Sequence, residues 1–232
     1  MSKRAIILAG GKGTRLKPYT MALPKPLVPI NETPILEIII KQLINNGFNH
    51  ITITVSHMAE IIQAFFNNGS KWGIKIDYSL EEKPLSTMGP LSLINNLPEN
   101  FLIMNGDVLS DIHFSALMEK HIDSNSIFTV SSYKREQKCD YGVLEVGTNN
   151  RLVGFKEKPV VEYDVSMGIY IANKKILDYI PFNQAYGFDQ LMLDLIEDKN
   201  PATVIRHSGY WLDIGRPEDY EQACKDYARM DF

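Results

Sequence analysis

The first sixteen residues constrain this chain more than any other stretch. Ala5-Ile6-Ile7-Leu8 is an apolar run of the length expected for a buried strand, and it breaks into Gly10, Gly11 and Gly13, three glycines within four residues. Glycine lets a backbone turn tightly and bring its N–H groups close to a ligand, and a nest of such groups favours anions. A helix starting next would add its positive end. Lys12 and Arg15 stand beside the nest, so the ligand chemistry it suggests is a polyphosphate. An ordinary glycine-rich turn satisfies the same residues, because short motifs of this kind recur by chance.

The spacing excludes two phosphate loops. A Walker A loop needs Gly-x-x-x-x-Gly-Lys-Ser/Thr, and here Gly13 follows Lys12. A dinucleotide fingerprint needs Gly-x-Gly-x-x-Gly, and Arg15 follows Thr14. Charge adds a further bound. With 24 Lys+Arg against 28 Asp+Glu the chain is slightly acidic, which gives no support to bulk nucleic-acid binding, so any anion site is local. The 232 residues suffice for one sizeable α/β domain. Met1-Ser2-Lys3-Arg4 leads straight into the four-residue apolar run, too short for a signal peptide or a membrane span. Cys139 and Cys224 are the only cysteines. That number argues against a disulfide scaffold or a structural zinc site and for a reducing, cytoplasmic setting.

Strand-like and helix-like segments alternate through the first half, the pattern of a layered α/β fold. A helix is expected from Ile35 to Ile44, with Pro34 at its start and Gly47 beyond its end. Strands are expected at Ile51–Val55, 74–78 and 101–104, and helices at 58–67 and, briefly, 89–96. Asn105-Gly106-Asp107 closes the third of these strands. In open α/β sheets ligands gather outside the carboxyl ends of strands. Asp107 is therefore a candidate Mg²⁺ ligand, and equally a candidate Asx turn. From Ile127 strands dominate: 127–133, then a hairpin of 141–146 and 152–155 around Gly147-Thr148-Asn149-Asn150. Helices are expected at 174–180 and from Phe188, with Asp189 as N-cap or sugar-site residue, then a strand at 202–205 and a last helix from Pro217 to Met230. No repeat, low-complexity run or long linker interrupts the chain.

The run from Ile7 to Ile30, ending Pro24-Lys25-Pro26-Leu27-Val28-Pro29-Ile30, resembles the signature of the sugar-1-phosphate nucleotidyltransferases, the nucleotide-sugar pyrophosphorylases. Five later stretches fit the same family: Ser86-Thr87-Met88-Gly89, Gly106-Asp107, Glu157-Lys158-Pro159, Val165-Ser166-Met167-Gly168-Ile169-Tyr170 and Trp211-Leu212-Asp213-Ile214-Gly215. The resemblance implies a Rossmann-like three-layer αβα sandwich with a mixed, mostly parallel central sheet. It also implies a single catalytic domain over 1–232, without the hexapeptide-repeat β-helix that bifunctional members carry. The implied reaction is nucleotidyl transfer from a nucleoside triphosphate to a sugar 1-phosphate, with release of pyrophosphate, in nucleotide-sugar and cell-surface polysaccharide biosynthesis.

By position in the family pattern, the nucleotide falls to Leu8, Ala9, Gly10, Gly11, Gly13, Thr14, Arg15, Lys25, Thr87, Gly89 and Asp107. The sugar phosphate falls to Tyr141, Gly142, Glu157, Lys158 and Gly168. Asp107 and Asp213 would hold Mg²⁺, and Arg15, Lys25, Asp107 and Lys158 would carry the catalysis. Ser86 and Met88 depart from the family's Gly and Ala, which is expected to reshape the base pocket. The Pro-Lys-Pro-Leu-Val-Pro form is similar to guanylyltransferases acting on mannose, heptose or amino-sugar 1-phosphates, and also to some uridylyltransferases, so GTP is the favoured base. Uridylyl or cytidylyl transfer stays open. So does a non-catalytic nucleotide-sugar-binding paralogue, although such proteins usually lose the loop Arg, a Lys or a metal Asp, and all are present here. No nucleic acid or membrane partner is implied, and a homodimer is left open.

Overall fold

In the computed structural model, which describes residues 3–229, alternate residues of strand β1 (Lys3–Leu8) enter two different cores. Ala5 and Ile7 enter one and Ile6 the other. The period of two in a strand puts neighbours on opposite faces, so a fully apolar run means a sheet covered on both sides. The chain then forms a small ladder of β2 (Pro29–Ile30) and β3 (Thr33–Pro34), helix α1 (Ile35–Asn45), β4 (Phe48–Val55), α2 (Ala59–Phe66), β5 (Lys75–Leu80) and β6 (Asn100–Asn105). After these come β7 (Val108–Ser110), α3 (Phe114–Ser124), β8 (Phe128–Lys138), β9 (Val143–Val146), β10 (Leu152–Lys156) and β11 (Val160–Asn173). The described chain ends with α4 (Phe188–Glu197), β12 (Thr203–His207), β13 (Trp211–Asp213) and α5 (Pro217–Tyr227).

Seven strands make one sheet in the order β12-β8-β11-β6-β1-β4-β5. β6, β1, β4 and β5 are parallel neighbours, β8 and β12 are parallel, and β11 runs antiparallel to both β6 and β8. The sheet is thus mixed and mostly parallel. One face packs α1, α2, α3 and α5 through residues such as Leu36, Ile62, Leu117 and Ala223. The other packs α4 through Leu191 and Leu195, with the short turns at Leu91 and Ile176. This is the three-layer sandwich expected.

α1 illustrates how burial overrides local preference. Its isoleucines lose side-chain freedom in a helix, at up to about 0.7 kcal/mol each relative to alanine. Ile35, Ile38, Ile39 and Ile40 are fully buried, and burial of such a side chain is worth about 1.5–3 kcal/mol. The core wins.

Five expectations need correction. No α-helix follows the glycine loop: residues 14–16 make a single 3₁₀ turn, too short to present a helix dipole. The expected helices at 89–96 and 174–180 are likewise 3₁₀ turns, over 89–93 and 174–178. Helix α4 is capped at Gly187, and Asp189 lies inside its first turn rather than at the cap. Met88, expected to reshape a base pocket, is fully buried in the second core with Leu91 and Ile103. Helix α3 was not anticipated at all. Met230, the expected end of the last helix, lies outside the described residues, as do Met1 and Ser2.

The long strands β8 and β11 leave the sheet. β11 pairs with β6 only from Ile169 to Asn173, while Val160 to Ser166 pair with β8 from Lys138 back to Ser132. This two-stranded ribbon therefore continues past the carboxyl end of β6. Between its two strands the chain makes the antiparallel hairpin of β9 and β10. Leu144, Val146, Leu152 and Phe155 share one face of that hairpin and are 57–62% exposed, while Glu145 and Lys156 pair on the other. Among the described residues no helix is long and apolar enough to cross a membrane.

Candidate active site

The carboxyl ends of four neighbouring strands deliver four short connections side by side. In sheet order they bring Asp107 after β6, Gly10 after β1, Ser56 after β4 and Glu81 after β5. Between them opens a pocket of about 500 Å³, lined by Leu8, Ala9, Gly10, Gly11, Lys12 and Lys25 on one side and by residues 84–87 and Pro90 on the other.

The glycine loop divides at Lys12. Gly10, Gly11 and Lys12 line the pocket, and a Cβ on Gly11 would meet nothing within 4 Å, so that backbone is open to a ligand. Gly13 serves the loop itself. It has φ +61°, which an L side chain adopts at a cost, and a Cβ there would stand 3.0–3.1 Å from Thr20 and Lys25. Its carbonyl accepts the Thr20 hydroxyl at 2.8 Å. Thr14 and Arg15 do not line the pocket. Arg15 is exposed, and its guanidinium passes beside Gly215, on the Asp213 side.

The acidic pair is built by the small ladder of β7 and β13. Asp213 pairs in register with Val108, and the Ile214 amide donates to the Asp107 carbonyl at 3.0 Å. The Lys25 ammonium is hydrogen-bonded to Asp107 Oδ2, whereas Asp107 Oδ1 is buried with no hydrogen-bond partner. Burial first, and then the Asp107 charge, push the Asp213 carboxyl above its usual range, while Lys25 and Arg15 oppose that shift. Two converging carboxylates with one orphaned buried oxygen suit a hard divalent cation. Among the described residues no cluster of three or more His, Cys, Asp or Glu could hold one unaided. The set therefore fits Mg²⁺, which commonly uses one or two carboxylates and takes its other oxygens from water and phosphate.

A family model described as nucleotidyl transferase matches residues 4–230. The chain belongs to the nucleotidyl transferase family. It is 33% identical to the UTP–glucose-1-phosphate uridylyltransferase of Synechocystis sp., over 96% of this chain and 62% of that protein. It is 32% identical to the D-glycero-alpha-D-manno-heptose 1-phosphate guanylyltransferase of Aneurinibacillus thermoaerophilus, over 96% of this chain and 97% of that one. The chain thus spans about three-fifths of the first relative and nearly all of the second. The crystal structure of HddC from Yersinia pseudotuberculosis complexed with GMP-PN superposes with a TM-score of 0.74 at 27% identity, covering 97% of this chain and 99% of that one.

In this member of the family the remaining singled-out residues fall in two places. Thr87 lines the pocket, and its hydroxyl accepts the Phe188 amide at 2.8 Å. Gly89 does not line it: a Cβ there would strike the Gln184 carbonyl at 2.5 Å, so this glycine lets the loop pack on the second layer. Ser86, which replaces a family glycine, keeps a glycine-like φ of +63° and lines the pocket. Tyr141, Gly142, Glu157 and Lys158 sit exposed on the ribbon and hairpin, with Glu157 close over Gly142. Gly168 stands at the foot of the ribbon with φ +72°, where a Cβ would meet the Asn105 side chain at 2.5 Å, and Asn105 lines the pocket.

Glu81 and Ser56 line the pocket although neither was singled out from the sequence. Glu81 is only 8% exposed, and burial pushes its carboxyl above the usual range. The one available signal was its place at the end of an alternating strand. Trp211 packs against the first core, its indole N–H donating to the Met167 carbonyl at 3.0 Å beneath the Arg135 guanidinium.

Proposed function

We propose that the chain transfers a nucleotidyl group, GTP being the favoured donor, to a hexose, heptose or amino-sugar 1-phosphate. A phosphate oxygen of the sugar phosphate attacks the α-phosphorus of the triphosphate. The bond from that phosphorus to the β-phosphate oxygen breaks, and pyrophosphate leaves. Both reactants are anions, so charge neutralisation and in-line alignment dominate and no side-chain nucleophile is needed. The observation that carries the reading is the Asp107–Asp213 pair beside an open glycine loop, with Lys25 bonded into it and one Asp107 oxygen unpartnered.

Mg²⁺ held by Asp107 and Asp213 would act as a Lewis acid on phosphate oxygens. Gly10 and Gly11 offer backbone N–H groups to the triphosphate, Lys12 and Lys25 supply positive charge near it, and Arg15 approaches from the Asp213 side. Tyr141, Gly142, Glu157, Lys158 and Gly168 are proposed for the sugar phosphate, carried on the ribbon that passes the carboxyl end of β6. The names of the heptose guanylyltransferase relative and of the GMP-PN complex support the choice of GTP. The uridylyltransferase relative supports UTP as the alternative. Two free cysteines support a reducing, cytoplasmic setting.

A pyrophosphate-release panel decides the reading, crossing GTP, UTP, CTP and dTTP with mannose, glucose, heptose and amino-sugar 1-phosphates. Release is expected with GTP, to stop on chelation with EDTA and to return with Mg²⁺. Nucleotide binding without release in any combination favours a non-catalytic paralogue instead.

The assembly proposed is a homodimer seated on the apolar hairpin face of Leu144, Val146, Leu152 and Phe155. An isolated two-stranded hairpin is at best marginally stable in water, so a partner surface would stabilise it. Equilibrium sedimentation is expected to give twice the chain mass, and Leu144→Glu to give the monomer. A monomeric wild type at tens of micromolar would remove the dimer.

A further inference from the structure

We propose that the open β5 edge of the central sheet docks an extended segment of a partner protein, one in which acidic and apolar residues alternate. The residues that carry this lie outside the donor pocket, so it does not depend on the transfer reading.

β5 is the last strand of the sheet, and one side of its backbone has no strand neighbour. The Glu81 amide donates inward to the Val55 carbonyl at 2.8 Å, and the Ile76 amide outward to the Asn68 carbonyl at 2.9 Å. Backbone groups along a strand alternate in direction, so Tyr78 and Leu80 aim their N–H and C=O groups outward. Among the described residues neither amide finds an acceptor on that side. Natural edges are commonly blunted by proline, by a bulge or by charge. β5 has no proline and no break in register. Lys75 charges one end of it, but the other end is Leu80, 55% exposed.

Two grooves of different chemistry flank this edge, and both include Asp77 and Tyr78, so they meet at the strand. On the face that packs α4, a groove of about 550 Å³ is lined by Arg4, Thr52, Asn95 and Asn96. The register sets Arg4, His50 and Lys75 in one row there. These two permanent cations and a histidine converge on a single carboxylate oxygen. His50 and Lys75 reach Asp77 Oδ2 at 2.6 and 2.8 Å, and Arg4 stands 4.0 Å from it. Arg4 is only 6% exposed, and its closer partners are neutral: the Thr52 hydroxyl and the Asn95 and Asn96 carbonyls. Glu82 also lines the groove, but it is exposed and pairs with none of the three. A buried cation that shares one distant carboxylate favours a second acidic group.

On the face that packs α2, a groove of about 790 Å³ is lined by Phe65, Phe66, Trp72 and Ile76. Lys71 lies over the Phe65 and Trp72 rings, 5.6 and 4.7 Å from their centroids. This groove suits aliphatic and aromatic side chains.

A strand added to an edge sends successive side chains to opposite faces. Alternating acidic and apolar residues therefore satisfy both grooves at once, while the backbone pairs with Tyr78 and Leu80. The alternation is what this edge recognises.

The probe is an eight-residue peptide alternating glutamate with isoleucine or phenylalanine, titrated by calorimetry and followed by amide hydrogen exchange. Binding is expected with a Kd on the order of 100 µM. At saturation the Tyr78 and Leu80 amides are expected to exchange at least about 5-fold more slowly. N-methylation along one edge of the peptide, and glutamine in place of its glutamates, are each expected to weaken binding at least about 5-fold. Lys75→Gln, at a side chain 64% exposed, is expected to do the same. The peptide controls leave the protein unaltered, so they decide the matter even if the variant loses stability. No saturable binding up to about 1 mM, equal binding of the N-methylated peptide, or binding without slowing at Tyr78 and Leu80 overturns the proposal. Slow exchange at those two amides in the protein alone, lost on dilution, overturns it too, because a second copy of the chain then holds the edge.

Discussion

Asp107→Ala is expected to lower pyrophosphate release by at least about 10³-fold while the protein stays folded. Asp107 stands where three needs converge. Its carbonyl anchors Ile214 and so the approach of Asp213, its Oδ2 holds Lys25, and its Oδ1 is buried without a partner. Alanine keeps the carbonyl and removes both carboxylate oxygens, so the ladder of β7 and β13 survives and the proposed metal site does not. The stability cost is the unpaired Lys25 ammonium, whose side chain is 12% exposed, about 1–3 kcal/mol. A single-turnover assay at saturating Mg²⁺ and nucleotide, alongside thermal unfolding, separates the two effects. Turnover within tenfold of wild type would remove Asp107 from the metal site.

Lys25→Met is the second large effect, and it carries a signature of opposite sign. Loss of a well-placed charge donor typically costs about 10²–10³ in rate, so turnover is expected to fall by that factor. In the protein without nucleotide, however, Lys25 occupies one Asp107 oxygen. Methionine of similar length frees that oxygen and removes a positive charge from beside Asp213. Mn²⁺ binding in the absence of nucleotide, followed by electron paramagnetic resonance, is therefore expected to tighten in the variant. Weaker or unchanged Mn²⁺ binding would mean that the ammonium and the cation do not compete for Asp107.

How much of this was legible depended on how local each signal was. The β1 strand, its glycine break, α1 and β6 announce themselves because their apolar periodicity is continuous and bounded by Gly or Pro. Helix α3 escaped notice although Phe114, Leu117, Met118 and His121 fall at helical spacing on its buried face. His121 is 1% exposed and bonded to Thr129 and Asn100, a polar residue at a core position, and no side chain caps the helix start. Pattern reading fails where the core is partly polar and the boundary is unmarked. The first half of β11 hid for a different reason. Residues 160–164 are exposed on the ribbon and carry both charges and aliphatics, so neither period dominates.

The same distinction runs through the site. Asp107, Lys25 and the glycines are legible because each interrupts an apolar pattern. Glu81 is one of two adjacent glutamates in a polar stretch, and only the tertiary fold buries one and leaves its neighbour Glu82 exposed. Met88 is the converse: a substitution at a family glycine–alanine segment that the chain turns into the core. Ser86, beside it, holds the backbone angle of the glycine it replaces.

The ribbon of β8 and β11 has a mechanical consequence. Gly168, at its foot, interrupts the pairing between Ser166 and Tyr170 and has a backbone angle that favours glycine. Beyond that point the strands keep each other, the end of β12 beside Ser132 and Tyr133, the Trp211 ring under Tyr133 and Arg135, the hairpin and a few ion pairs such as Lys134–Glu162 and Arg206–Asp164. Below it they are locked into a seven-stranded sheet. The molecule is therefore stiff on the side that holds the pocket and compliant on the side that carries the proposed acceptor residues. Substitutions in the hairpin can accumulate there without unpacking either core, which decouples drift in one specificity from the integrity of the other.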